Sequence, residues 1–194
     1  MLVVLLYLLL FIALVLLVLF IIAARRPDQF VVRRMADIHA PADRIFGLID
    51  DFRQWPKWSP WEKLDPNLRR KLSGAEAGRG SVYEWEGDKQ VGAGRMEIID
   101  SVPHARIDIK LTFLKPFRAD NRTTFTISPV DGASHVLWEM TGTNNFLLKL
   151  MGLFMNMDKM VGTDFEKGLA AMKAEAERGE LAAPAPDDPA TDRT

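Results

Sequence analysis

The chain has 194 residues, of which 48% are apolar, and 25 basic against 26 acidic side chains give a net charge of −1. This length suits one domain with appendages, and the near-neutral charge argues against a general binder of nucleic acids or anionic surfaces. Because the chain has no cysteine, disulfides, thiolate metal sites and cysteine nucleophiles are excluded.

The first 24 residues carry no charged side chain, and residues 1–24 predict a transmembrane anchor. At about 1.5 Å per residue this helix reaches roughly 36 Å, enough for a hydrocarbon core of about 30 Å with some tilt. The alternative is a cleaved signal peptide, which needs a basic start, a shorter apolar stretch and a small-x-small cleavage site. No basic residue precedes the run, and Ile22 spoils the cleavage pattern. The sequence therefore favours an uncleaved single-pass anchor.

Basic residues after the predicted span set its expected orientation. Arg25, Arg26, Arg33 and Arg34 follow the run closely, whereas Asp28 is the one acidic residue among them. By the positive-inside rule, the rest of the chain is expected on the cytoplasmic side of an inner or plasma membrane.

A strand and a short helix are predicted next. Residues 30–39 have an extended pattern, although Arg34 interrupts the alternation of apolar side chains. Pro41 stands at a helix start and precedes a compact apolar face around Ile45. Residues 51–61 hold three of the five tryptophans and are too interrupted by proline to predict a regular element.

From about Leu68 the sequence predicts antiparallel strands. The clearest alternation runs over residues 105–113, where every second side chain is apolar, as in a half-buried strand. Short connections between successive runs predict a meander of about six strands.

After Gly142 the apolar residues recur every three or four positions instead of every second position. Spacings from Met157 to Ala176 predict an amphipathic helix of about twenty residues, opened by Asp158 and stopped by Gly179. The acidic, proline-rich residues 179–194 are predicted to be disordered.

The order of elements predicts an α+β fold, with a curved antiparallel sheet wrapped on the long C-terminal helix. The expected organisation is an anchor over residues 1–24, a linker over 25–29, a folded domain over 30–178 and a tail over 179–194. A sheet with one apolar face must cover that face, and the last helix is the one predicted element long enough. A gap between sheet and helix would be a place for a ligand.

Sequence motifs spread over about residues 30 to 177 carry a family resemblance. They are APADRIF (40–46), WPKWSPW (55–61), YEWEG (83–87), GAGRM (92–96), WEMTG (138–142) and MDKMVGTDFEKGL (157–169). With these motifs the chain resembles the bacterial polyketide cyclase/dehydrase-like branch of the START/SRPBCC (helix-grip) superfamily. The resemblance implies a helix-grip fold with a cavity between sheet and C-terminal helix that takes a hydrophobic small molecule or lipid.

Large apolar side chains are the candidates for lining such a cavity. Tryptophan offers a wide surface with a polar N–H, and methionine offers a deformable contact for varied apolar ligands. Each of these side chains could equally fill an ordinary core. The ten candidate ligand-binding residues are Trp58, Trp61, Trp85, Met96, Phe113, Phe125, Trp138, Met140, Met160 and Phe165.

Four of the nine methionines lie within ten residues at the entry to the long helix: Met151, Met155, Met157 and Met160. One interpretation is a flexible apolar gate over the cavity mouth, within reach of the bilayer. The other is ordinary helix packing.

Catalytic signals are few. The sequence holds no GxSxG, Walker A or HExxH motif, and its three histidines, His39, His104 and His135, are far apart, so neither a metal nor a cofactor is expected. A carboxylate inside an apolar cavity would have a raised pKa and could act as an acid or base. Glu97 and Glu139 are the candidates for that role.

Three hypotheses of function follow. The favoured one is a membrane-anchored protein that binds a hydrophobic small molecule or lipid, with no nucleic-acid or metal partner. The second is an enzyme, a cyclase or dehydratase acting on an apolar, polyketide-like substrate, which requires a buried acid or base. The third is a structural or partner-binding domain with a filled core and no ligand.

Overall fold

The structure is a computed structural model that describes residues 1–154 and 156–178. For Met157 only the backbone is described. Two short 3₁₀ helices, Phe52–Lys57 and Pro60–Lys63, lie between the second helix and the second strand. The other elements are α1 (Leu2–Ala24), β1 (Gln29–Ile38), α2 (Ala42–Asp50), β2 (Arg69–Gly74), β3 (Ser81–Glu86), β4 (Ala93–Val102), β5 (Arg106–Lys115), β6 (Ala119–Val130), β7 (Ala133–Thr143), α3 (Phe146–Met151) and α4 (Met157–Glu177).

The seven strands form one antiparallel sheet in the order β1-β7-β6-β5-β4-β3-β2. Successive strands are neighbours from β2 to β7, as short connections favour, and β1 returns to pair with β7. The predicted α+β fold is confirmed: the sheet curves around the C-terminal helix, and its concave side holds the core.

Helix α4 lies along β1 and covers part of the concave face. Its predicted apolar stripe is buried, with Phe165, Leu169, Met172 and Ala176 each at most 2% exposed. The helix begins two residues earlier than a cap at Asp158 would place it, because the side chain of Asn156 caps it by accepting from the Lys159 N–H. The predicted stop at Gly179 and the predicted tail lie outside the described residues.

The tryptophan-rich segment has more order than its prolines suggested. Pro56 lies inside the first 3₁₀ helix and Pro60 begins the second. Trp55 and Trp58 turn inward from this segment and donate their indole N–H groups to the carbonyls of Ile49 and Leu48, at 2.9 and 2.8 Å. These hydrogen bonds fasten the segment to the end of α2.

Helix α3 was not predicted, because six residues are too few to show a helical period. Its start is capped by Asn145, whose side chain accepts from the Leu148 N–H at 2.9 Å. The helix follows β7 directly and packs against the end of α1, where the Phe20 and Phe146 rings are 5.2 Å apart.

Helix α1 is long and apolar enough to cross a membrane, judged by length and composition. Of the four arginines expected to orient it, Arg33 and Arg34 belong to β1 and pair with acidic groups of the folded domain. Arg25 and Arg26 remain at the end of α1, where both are exposed.

Candidate functional site

The side chains on the concave face of the sheet stand in rows, because strand pairing brings alternate residues side by side. The anchor end of the sheet is defined here as the end where β1 begins, next to α1. Rows far from the anchor end are covered by α2, α4 and the tryptophan-rich segment. Rows near the anchor end are only half covered.

The covered part of the concave face holds an aromatic cluster, consisting of Trp58, Phe125, Trp138 and Phe165. Trp138 and Phe165 stack with their ring centroids 3.9 Å apart and their planes 7° from parallel. Phe125 lies 4.8 Å and Trp58 5.6 Å from Trp138, again between centroids. All four side chains are at most 2% exposed, so the cluster fills its part of the space between sheet and helix.

The half-covered part is a strip of half-buried residues across β5, β6, β7 and β1, which is called the anchor-end groove here. Strand register sets Leu111 opposite Asn121, Asn121 opposite Gly142 and Gly142 opposite Phe30. Phe113 and Trp85 lie in the next row toward the anchor end, on either side of Gly94, with their ring centroids 5.8 Å apart. The five side chains in these two rows are all half-buried, and Gly142 contributes no side chain. The anchor-end groove is therefore lined by Phe30, Trp85, Leu111, Phe113, Asn121 and Gly142.

Two glycines allow side chains to lie flat on the floor of the concave face. A β-carbon at Gly94 would collide with the Trp85 ring, and one at Gly142 would collide with the Asn121 amide and the Phe30 ring. Trp85 and Phe30 thus rest on the backbone of these glycines.

The structure divides the ten predicted ligand-binding residues among three environments. Trp61, Trp85 and Phe113 are half-buried, and Met160 on α4 is 49% exposed. Trp61 reaches from its 3₁₀ helix to within 6.3 Å of Phe165 and 5.8 Å of Trp138, between centroids. The six residues buried in the core are Trp58, Met96, Phe125, Trp138, Met140 and Phe165.

Four of the predicted ligand-binding residues are tryptophans with a polar N–H, but two of these four N–H groups already have protein partners. Trp58 donates to Leu48, as noted, and Trp138 donates to the Thr123 hydroxyl at 3.0 Å. The polar side chain that lines the groove is Asn121. Sequence reasoning missed it, although its parity with Phe125 on β6 places it on the same face of the strand.

The two carboxylates considered for catalysis lie on the convex face, away from the groove. Glu97 accepts a hydrogen bond from Arg95 at 2.7 Å, and Glu139 pairs with Arg33. This placement follows strand parity, since each glutamate neighbours a residue that points inward. Neither is positioned to act on a molecule in the groove.

A buried carboxylate does occur beneath the tryptophan-rich segment, where Glu62 is 8% exposed. It accepts hydrogen bonds from the Tyr83 hydroxyl and, at 2.5 Å, from Arg70 Nε. Burial, and next the hydrogen bond to Glu62, raise the pKa of Tyr83 above its ordinary value. Both oxygens of the carboxylate are thus occupied, and the network ties the segment to β2 and β3.

The far end of the sheet carries the histidines and two shallow depressions. His39 lies 3.4 Å from Glu177, and His135 pairs with Asp37. Among the described residues, no group of three or more potential ligands could hold a metal ion. The depressions, of about 480 and 360 Å³, flank the β6–β7 turn near Val130 and Ser134. They are open to solvent and lie at the opposite end from the groove.

Comparisons with known proteins agree with this fold. A family model described as polyketide cyclase/dehydrase and lipid transport matches residues 29–177. No curated protein matches the sequence. Several solved structures are similar in fold, all at low sequence identity.

A protein from Chromobacterium violaceum has 17% identity and a TM-score of 0.55, over 78% of this chain and 99% of that one. The Aha1 dimer from Colwellia psychrerythraea has 14% identity and a TM-score of 0.56, over 78% and 98%. DynU16, a protein in the dynemicin biosynthetic locus, has 16% identity and a TM-score of 0.55, over 79% of this chain and 49% of that one. At such identities the similarity is one of fold.

Proposed function

Since the chain belongs to the polyketide cyclase/dehydrase and lipid transport family, we propose that it is a membrane-anchored protein that binds a hydrophobic small molecule or lipid. The observation that carries this proposal is the anchor-end groove, an apolar surface of the concave face that α4 leaves half covered. The aromatic cluster beside it is packed, which supports the groove as the place for a ligand.

Binding in the groove would be driven by desolvation. Apolar surface buried against Phe30, Leu111 and Phe113 stabilises a complex by about 25 cal/mol per Å². The amide of Asn121 would orient a ligand through a hydroxyl or carbonyl group, since an amide both donates and accepts hydrogen bonds. An anchor would also raise the effective concentration of a ligand that resides in the membrane.

We further propose the organisation expected from the sequence, with an anchor over residues 1–24, a linker over 25–29 and the binding domain over 30–178. A cytoplasmic position for this domain is supported by Arg25 and Arg26, which are the two arginines at the end of α1 that remain outside the folded sheet.

The proposal is tested by native mass spectrometry of residues 27–194 purified without detergent, followed by solvent extraction. We expect a stoichiometric added mass that is extracted as an apolar molecule. The matched variants are Phe113→Glu, which puts a charge into the groove, and Met35→Glu, which puts the same charge on the convex face, where Met35 is 63% exposed. The first should lose the added mass and the second should keep it.

Two outcomes would count against the proposal. A folded wild-type domain with no added mass would contradict ligand binding and favour the structural-domain hypothesis. An added mass that survives Phe113→Glu would place the ligand elsewhere and refute the assignment to the groove.

A further inference from the structure

Helix α3 is fastened to the end of the anchor by several contacts. Besides the Phe20–Phe146 ring contact, the Asn144 backbone N–H donates to the Asp28 carbonyl at 2.7 Å. Lys149 pairs with the Asp28 carboxylate. The position of α3 is therefore set by α1 and the linker as much as by the sheet.

If α1 crosses a bilayer, these contacts determine how deep α3 lies in that bilayer. Phe20 lies four residues before the end of α1, which at about 1.5 Å per residue is roughly 6 Å inside that end. Helix α1 is only slightly longer than a hydrocarbon core of about 30 Å, so Phe20 lies within about 4 Å of the boundary between hydrocarbon and headgroups. Phe146 in contact with it is at the same depth.

Helix α3 and the turn after it expose apolar side chains around this contact. Phe146 is 43% exposed, Leu147 52%, Met151 37% and Phe154 75%. Such a concentration of large apolar groups on a short segment is costly in water and is typical of elements that lie in the membrane interface.

A second apolar projection reaches the same end of the sheet. Phe113 pairs with Ala119 across the β5–β6 hairpin, and the pairing of β1 with β7 ends at Gln29 and Thr143. Residues 115–118, the tip of the hairpin, therefore extend past the start of β1 to the level of the linker. Phe117 at this tip is 62% exposed.

We propose that α3, Phe154 and the β5–β6 tip insert into the interfacial layer of the bilayer that α1 spans, so that the anchor-end groove opens onto lipid. This inference rests on the anchor of the proposed function. The bilayer is the occupant that the structure favours, because the exposed apolar groups continue the apolar surface of α1. Exposed Arg25, Arg26 and Arg118 beside them suit the lipid phosphates.

The experiment uses single-cysteine variants of the full chain, whose lack of native cysteine makes labelling unambiguous. Nitroxide labels are placed at Leu147, Phe154 and Phe117, all exposed positions where substitution leaves the core intact. Leu10 within α1 serves as the membrane reference, and Val130, exposed at the far end of the sheet, serves as the aqueous control. The protein is reconstituted in nanodiscs of phosphatidylethanolamine and phosphatidylglycerol.

Collision rates of each label with oxygen and with a water-soluble nickel chelate report its depth. We expect the oxygen-to-nickel ratio at Leu147, Phe154 and Phe117 to be several-fold higher than at Val130 and lower than at Leu10. If these three labels match Val130 while Leu10 remains in lipid, the docking inference is wrong and the anchor stands.

The remaining outcomes also separate the two proposals. A Leu10 label that collides with the nickel chelate refutes the spanning anchor, and with it the docking inference. Labels shielded from both collision partners, with spin–spin broadening, would mean that a second copy of the chain covers this surface, which also overturns the inference.

Discussion

Trp138 and Trp85 point to the same side of the sheet, yet their surroundings differ. Trp138 is 2% exposed, stacks on Phe165 and has its N–H satisfied by Thr123. Trp85 is half-buried at the edge of the groove, where it rests on Gly94. The sequence alone predicts that alanine at either position weakens ligand binding without unfolding the domain. The packing in the structure distinguishes the two tryptophans.

We therefore predict that Trp138→Ala lowers the free energy of unfolding by about 3–5 kcal/mol, the range for a large aromatic removed from a packed core. Trp85→Ala should keep most of the stability, because its ring is partly in solvent, and should weaken ligand binding. Urea unfolding followed by circular dichroism measures the first effect. Equal stability of the two variants would contradict this difference between the two tryptophans.

Asn121 and the two glycines, Gly94 and Gly142, show why individual residues in the sequence did not reveal the anchor-end groove. Strand parity places Asn121, Leu111 and Phe113 on the inward face, but it does not say which inward positions a helix covers. That depends on where α4 begins along β1, and the helix starts at Met157, beyond a separate α3.

At the scale of elements, Arg34 explains how α4 is held on the sheet. Its Nε donates to Glu166 at 2.6 Å and its Nη1 to Asp158 at 3.1 Å. A β-carbon at Gly162 would collide with the guanidinium, so this glycine makes room for the contact. The arginine that interrupted the apolar alternation of β1 thus fastens the N-terminal half of α4.

Arg34→Met should loosen that half of the helix. Loss of this charge network should make amide exchange in the nearby helix several-fold faster, because local opening then costs less free energy. We expect this increase over residues 159–166 and none over 170–177, measured by hydrogen exchange with mass spectrometry. Arg33→Met, which breaks an exposed pair with Glu139 on the convex face, is the control. Equal effects of the two variants would contradict a fastening role for Arg34.

At the scale of the whole molecule, part of the acid stability should come from Asp108, a buried carboxylate. Asp108 is 1% exposed on the convex face of β5. Burial alone would raise its pKa, but hydrogen bonds from Arg122, Thr124 and Arg106 outweigh burial and lower the pKa of Asp108 to about 2. Because the folded pKa lies below its ordinary value of 3.8, ionised Asp108 stabilises the folded state.

This contribution is fully present above about pH 4 and is lost as the pH falls toward 2, and it amounts to about 2 kcal/mol. Asp108→Asn should therefore lower the free energy of unfolding by about that amount at pH 7, with the difference from wild type shrinking below pH 4. Asp100→Asn, at a half-exposed carboxylate 4.0 Å from Arg106, is the control. A pH-independent difference would contradict this account.

The sequence alone determined the class of fold, the apolar first helix and the strands of the meander. These features depend on local periodicity: β5 alternates at every second residue and α4 repeats every three or four, so each pattern identifies its own buried face. The family motifs extend over the same elements, and the family match confirms the resemblance.

Only the tertiary structure decided which inward-facing residues are core and which line a groove. That distinction depends on how far α4 and the tryptophan-rich segment extend over the sheet, which is a long-range packing outcome with no local period. The same reason applies to α3, whose six residues owe their position to Phe20 and Asp28, more than a hundred residues away in the chain. Contacts of such sequence separation leave no pattern in either segment by itself.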